Sequence, residues 1–366
     1  RARPGGGWSW ERANEGPAPS PRRGAPGASK PGVGRGYLVA IPPLFPLVPF
    51  FSRPTYRYEH VPGTLWTFEQ KQGIGLGLNV AVNTRMTVIR TRGGGLLVYA
   101  PIAPTRECVA LLRELPGEVE HVVLPTTLFE HKLFVGPFSR KFPRAEVWVA
   151  PGQWSWPLDL PVQFFGVFPA GELDDTDDGA AMPFGGEFAL ATLAPPPIGV
   201  SAALSFNEVA LLHRPTKTLL VTDAVVKVTD TPPEVLTRRD LLESGDEESF
   251  TLRCLRALNL FGARDKYESM AVRAADLTEE ERLALGWRRN ALTALFFGVD
   301  NLLEPGEAWD AVRGRLMVAP VVGTLLYENV PDAVAEWSSR VSRWDFRRVV
   351  PCHFDGPFEA TPREFR

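Results

Sequence analysis

Three places in this chain put metal-competent side chains where an apolar strand gives out. In Leu124–Gly136, LPTTLFEHKLFVG, a strand breaks and Glu130 and His131 follow. In Glu208–Asp223, EVALLHRPTKTLLVTD, the runs Val209–Leu212 and Thr218–Val221 have strand length and Arg214–Lys217 carries turn signals, so a hairpin ends in Asp223. Arg347–His353, RRVVPCH, is a late short strand that ends in a histidine in the same manner. A bare buried ion is costly, so Asp223 must be solvated, hydrogen-bonded or bound to a cation where it leaves the core. A turn or helix cap is an equally open role for it. Two imidazoles and two carboxylates suit one zinc, iron or manganese ion with a position left for water. Strand ends of a layered αβ sheet are where such sites are built. The bland reading of each histidine is a hydrogen-bonded core residue, so the cofactor expectation is none or one divalent transition metal. His213 sits at the turn end of the hairpin. Strand residues at ~3.3 Å each put it more than about 10 Å from Asp223, and a turn hydrogen bond is expected instead. His60 and His121 read as structural.

The elements that must position these groups follow the chain. At 366 residues, 44% hydrophobic and 23% charged, with a formal charge of −3, the sequence suits one large soluble domain or two smaller ones and points away from nucleic acid. Cys108, Cys254 and Cys352 form no CxxC pair, which suits a reducing compartment. Thr64–Phe68, Asn79–Arg90 and Leu96–Tyr99, the last entered through Gly93–Gly95, predict a β-meander. A helix over Thr105–Leu115 has Thr105 as N-cap and Pro116-Gly117 as its stop. A strand at His121–Leu124, a short helix at Phe138–Phe142 and a strand at Glu146–Ala150 come next. Helices are expected at Asp240–Ser249, Leu277–Gly286 with a Thr278–Glu281 capping box, Glu307–Val318 and Asp332–Trp344. The acidic loop Glu172–Gly179 lacks the glycine and terminal glutamate of an EF-hand and reads as solvated. The GIGLG near residue 75 has no helix pattern after it, so it is not read as a nucleotide loop.

Residues 1–36 hold few apolar side chains, and Arg1, Arg3, Arg12, Arg22, Arg23, Lys30 and Arg35 outnumber Glu11 and Glu15. Such a segment cannot offset its ordering entropy, so it is expected to order only on a partner, with Trp8 and Trp10 as anchors. The missing initiator Met and the Arg, Ser and Ala content resemble the region beside a plastid or mitochondrial transit peptide. Tyr37–Phe51 is too short and too rich in proline to span a bilayer as a helix. It is expected to form an apolar strap over the domain or a neighbour, with Phe45, Phe50 and Phe51 as contacts, and shallow membrane insertion as a third option. Trp154 and Trp156, beside prolines, are expected at the surface as further partner contacts. The expected division is residues 1–55, arm and strap, and 56–366, folded domain.

The order of these elements resembles the metallo-β-lactamase superfamily, which implies an αββα sandwich. More closely, RMTVIRTRGGGLLVYAPIAPT, FPRAEVWVAPG, LLHRPTKTLLVTD and RVVPCHFDGP resemble a domain-of-unknown-function family of cyanobacteria, algae and plants distantly related to that superfamily. The superfamily's HxHxDH signature falls on Thr126, Leu128, Glu130 and His131, so both leading histidines are absent, as is the one expected near Ala203–Ser205. Those three groups hold the first metal of the superfamily. Glu130, His131, Asp223 and His353 match the positions of the second. The resemblance implies a degenerate metallo-hydrolase acting as a non-catalytic scaffold or accessory subunit of a larger plastid complex, plausibly photosynthetic. That protein would be soluble or peripheral to the thylakoid membrane. The alternative is a single-metal hydrolase of an ester or thioester, with Asp223 orienting the attacking hydroxide.

Overall fold

The computed structural model describes residues 34–37, 47–49, 52–74, 80–154, 160–196, 206–259, 263–270, 273–296 and 303–366. The expectations for Trp8, Trp10, Phe45, Phe50, Phe51, Trp156, Ala203–Ser205 and most of the GIGLG run lie outside those residues. The first sheet contains β1 (Leu47–Val48), β2 (Tyr56–Val61), β3 (Leu65–Ile74), β4 (Val80–Arg90), β5 (Leu96–Tyr99), β6 (Val119–Leu124), β7 (Glu146–Val149) and β8 (Gly171–Glu172). β1 and β2 both pair with β3, and the path then runs β3-β4-β5-β6-β7-β8. The meander from β2 to β5 is antiparallel, and the order turns parallel at β5 because α1 (Arg106–Arg113) returns the chain to the same edge. Thr105 caps that helix as expected, its hydroxyl accepting from the Cys108 amide at 3.0 Å. α2 (Phe129–Lys132) and α3 (Val135–Ser139) lie between β6 and β7.

The second sheet begins with β9 (Phe188–Leu193), β10 (Glu208–His213) and β11 (Thr218–Leu220). β12 (Val226–Lys227) and β13 (Leu316–Met317) form a separate ribbon, and β14 (Arg348–Val350) and β15 (Phe358–Glu359) complete the sheet in the order β15-β14-β11-β10-β9. Period-two alternation makes each strand serve two layers. Ile89, Leu97, Tyr99 and Val123 of the first sheet meet Leu190, Val209, Leu211, Leu220 and Val350 of the second. The opposite faces of the same strands present Val88, Val98 and Val122 to Cys108, Leu112 and Phe138 of α1 and α3. On the far side Ala210, Leu212, Leu219 and Val349 meet Trp337 and Val341 of helix Pro331–Val341, and Phe365. The layers are therefore helix, sheet, sheet, helix. α4 (Arg238–Gly245) and helix Glu279–Phe296 build a further cluster with Leu241, Trp287 and Leu292 that reaches Ala81 of β4. The Thr278–Glu281 capping box is present, with the Glu281 carboxylate 2.8 Å from the Thr278 amide.

Where local pattern and structure differ, a competing constraint is visible. The helix expected over Glu307–Val318 runs only over Gly306–Val312, because Gly314 adopts a left-handed φ of 72° and Leu316–Met317 pairs with β12. The short helix expected at Phe138–Phe142 forms earlier, at Val135–Ser139. The acidic loop is held as well as solvated: Asp175 accepts from the Thr192 amide at 2.8 Å and pairs with Arg340 at 2.6 Å. The described parts of the N-terminal stretch lie on the domain itself. Leu47–Val48 pairs with β3, Arg35 pairs with Glu107 at 3.0 Å, and Tyr37 stacks edge-on against Phe134.

His213 is buried at the hairpin turn, its Nδ1 2.8 Å from the Thr216 hydroxyl. Burial, with Arg92 adding, pulls its pKa from 6.5 to about 4, and Glu187 at 3.8 Å from Nε2 does not offset this. A folded pKa below the unfolded one means the unfolded chain takes the proton first. This contribution to stability is therefore whole above about pH 6.5 and falls toward pH 4, by up to about 1.4 kcal/mol per pH unit. Urea unfolding between about pH 7 and pH 4.5 should show a flatter slope in His213→Asn than in the parent; equal slopes would exclude His213 as a source of the acid sensitivity.

Candidate metal centre

β11 and β14 are parallel neighbours with Leu220 opposite Val350, so the segments that leave their C-terminal ends emerge side by side. One carries Asp223 and the other His353, because Pro351 offers no amide to extend β14. β6 of the first sheet ends at Leu124 and leads through an isolated bridge between Thr126 and Glu208 into α2, which delivers His131. His131, Asp223 and His353 are buried, at 3%, 8% and 9% exposure, and one ligand atom from each lies within 4.8 Å of the others. His131 Nε2 is 3.2 Å from Asp223 Oδ2, His353 Nε2 is 3.5 Å from Asp223 Oδ1, and the two imidazole centroids are 5.2 Å apart. Four donors at ~2.0–2.1 Å around a tetrahedral ion lie about 3.3 Å from one another, so these spacings suit a shared cation.

The tautomer of His353 strengthens that fit. Its Nδ1 lies 2.9 Å from the carbonyl oxygen of Asn83, which can only accept, so Nδ1 carries the proton. Burial lowers the pKa of His353, with His131 and Arg85 adding to it against the charge of Asp223 and the hydrogen bond to Asn83, and the net lowering favours the neutral ring with its Nε2 lone pair toward a carboxylate oxygen. Two acceptors facing at 3.5 Å repel unless a cation lies between them. His131 differs: burial pulls its pKa down, but the hydrogen bond and charge of Asp223, with Glu130 and Glu208 behind, raise it overall. Asp223 is lowered, since His131, His353 and Thr222 outweigh its desolvation.

Glu130, expected as a fourth ligand, contributes no atom to this group. Its charge still faces the group, because His131 and Asp223 both act on its carboxyl. Glu130 is half-buried, and burial raises its pKa against the pull of His131. Glu208 is a carboxylate that pattern reading passed over as a site residue. It is fully buried at the head of β10 and accepts from the Thr222 and Asp223 amides at 2.6 and 3.3 Å, holding the turn that carries Asp223. Burial first, and then the charge of Asp223, push its pKa up to about 7. Its only sequence signal is an acid at the first position of an otherwise apolar strand.

The loop bearing His353 is held by a buried network on β3 and β4. Arg85 donates Nε to Glu69 at 2.7 Å and Nη2 to the Phe354 carbonyl at 2.7 Å, and its amide donates to the Cys352 carbonyl at 2.8 Å. Asn83 Nδ2 donates to the Phe354 carbonyl at 3.0 Å. Of the positions where the superfamily signature has its leading histidines, Thr126 is fully buried with its hydroxyl accepting from the Leu128 amide at 3.2 Å, and Leu128 packs on the outer layer of the second sheet. Trp154 is not a surface residue. It is buried, with the Lys132 ammonium 4.9 Å from its ring and bonded to its carbonyl, a cation–π contact that a buried ammonium favours.

A family model described as Domain of unknown function (DUF4336) matches residues 62–310 and 303–366. The chain belongs to this family. No curated protein matches the DUF4336 chain at the sequence level. Among solved structures it is similar to a flavo di-iron protein variant from Thermotoga maritima, at 9% identity and a TM-score of 0.43, over 86% of this chain and 60% of that one. It is also similar to the flavodiiron core of Flv1 from Synechocystis sp. PCC6803, at 11% identity and 0.40, over 83% and 57%. A third is the DIM-1 metallo-β-lactamase exposed to ceftazidime, at 10% and 0.36, over 85% and 94%. The DUF4336 domain is an αββα sandwich, the layering expected from the resemblance. Among the described residues no helix is long and apolar enough to cross a membrane.

Arg85→Met tests the network behind His353. It leaves the Glu69 carboxylate and the Pro351 and Phe354 carbonyls without their shared donor, and should cost about 3–5 kcal/mol in urea unfolding. A loss below about 1 kcal/mol would mean that the loop is held by something else.

Proposed function

We propose that this DUF4336 protein binds one divalent transition metal ion, zinc, iron or manganese, through His131, Asp223 and His353, and acts as a single-metal hydrolase of an ester or thioester. The convergence of two imidazoles and one carboxylate within 4.8 Å carries this reading. A bound ion of this class lowers the pKa of a coordinated water and polarises a carbonyl. The chain's own residues supply the rest. Asn83 fixes the His353 tautomer, Glu208 holds the Asp223 turn through two amides, and Asp223 takes the orienting role toward the water. Metal analysis of the purified full chain should find one equivalent, falling to a trace in His353→Ala and Asp223→Ala while circular dichroism stays unchanged. Metal-free parent protein that remains folded after dialysis against each of the three ions would end the proposal.

A second reading is favoured by Thr126 and Leu128, which place a fully buried hydroxyl and an apolar side chain where the superfamily signature carries ligands. On it the chain is an accessory or assembly subunit of a larger plastid complex, soluble or peripheral to the thylakoid membrane, that uses residues 1–51 to dock. The basic, Pro- and Gly-rich composition of residues 1–36 supports that role. Deleting residues 1–51 should abolish co-purification with the complex; retention at the parent level would count against this second reading alone.

A further inference from the structure

The end of the second sheet remote from His131, Asp223 and His353 carries a cavity of about 530 Å³ that neither reading above uses. It lies at the β10–β11 turn, where Lys217 precedes β11, whereas Asp223 follows that strand. Four cations line it: Arg214, Lys217, Arg340 and Arg343. Two are already neutralised and fixed in place. Arg340 pairs with Asp175 at 2.6 Å and Asp178 at 3.6 Å and donates to the Leu190 carbonyl at 3.2 Å, and Lys217 is bonded to Asp345. These pairs use both acids of the lining, Asp178 and Asp345. Arg214 and Arg343 are exposed and have no ion-pair partner among the described residues, so two cations of the lining keep no counter-ion, and the group as a whole stays positive even with Asp175 counted.

The remaining wall is apolar. Leu212 and Trp344 are at 3% and 7% exposure, and both belong to the core layer beneath the cavity, so they form a fixed floor. A volume of this size is in the range that takes small molecules, and unpaired guanidinium forks match the oxygens of a phosphate.

We propose that this cavity binds a small phosphate ester, its dianionic head on Arg214 and Arg343 and its apolar body on Leu212 and Trp344. The site is separate from the metal centre and does not depend on the hydrolase reading. Calorimetric titration of the full chain at fixed ionic strength tests it, with phenyl phosphate and inorganic phosphate as probes. Phenyl phosphate should saturate at one equivalent and bind more tightly than inorganic phosphate. Arg214→Gln/Arg343→Gln, which changes two exposed residues, should weaken it by at least about tenfold. His353→Ala should leave it unchanged; loss in that variant would move the binding to the metal centre and overturn the proposal. No saturable heat up to about 10 mM, or an unchanged affinity in the double variant, would also overturn it. Equal affinity for the two probes would overturn the apolar half of the assignment.

Discussion

A neutral imidazole and a carboxylate that face each other across a buried gap favour a positive charge between or beside them. Asn83 forces that confrontation on His353 and Asp223 by taking the Nδ1 proton with its backbone carbonyl. A carbonyl has no proton to give, so the tautomer with Nδ1–H is kept as long as the ring stays against Asn83. Breaking the contact would need the loop at Pro351–Phe354 to move, and Arg85 fastens that loop to β4 through three of its carbonyls. The two groups are therefore held together by the sheet, which supplies the force that keeps them facing.

That force comes from pairing as well as burial. β10 and β11 form an antiparallel hairpin, but β11 takes β14 as a parallel neighbour across more than a hundred residues of intervening chain. Parallel pairing sets the two strands' C-terminal ends together, which an antiparallel partner would not do. Asp223 and His353 become neighbours for that reason, and the interleaved apolar layer of Leu211, Leu220 and Val350 fixes their depth. Glu208 then holds the Asp223 turn from below, as a capping side chain holds the free amides of a helix.

The sequence makes the strand ends legible because alternation and breakers are local. Asp223, His131 and His353 stand out since each follows an apolar run that Pro or a polar residue stops. What local pattern cannot show is which partner a side chain meets. Glu130 and His131 are adjacent in sequence, yet only His131 places a ligand atom in the cluster. Arg85 looks like an ordinary polar position on an alternating strand, and its role depends on carbonyls some 270 residues away. Trp154 reads as a surface aromatic beside proline, but the buried Lys132 ammonium draws it inward. β9, FALATL, carries two alanines, which strands disfavour, and is defined by its six-residue pairing with β10.

The proposed site is for one ion, and on the side of Thr126 its surroundings favour no second. A second ion needs donors of its own, and the two signature positions at that edge offer none. Leu128 has no heteroatom in its side chain, and it is packed with Tyr327 and Trp337 in the outer apolar layer. Thr126 has a hydroxyl, but that oxygen accepts from the Leu128 amide and the residue is bridged to Glu208. A neutral hydroxyl already engaged in this way is a weak substitute for an imidazole toward a dication. Glu208 spends both carboxylate oxygens on the Thr222 and Asp223 amides, so recruiting it as a replacement would release the turn that holds Asp223. The groups that would have to host a second ion are the groups that keep the first set in register, and the chain can serve only one of those uses.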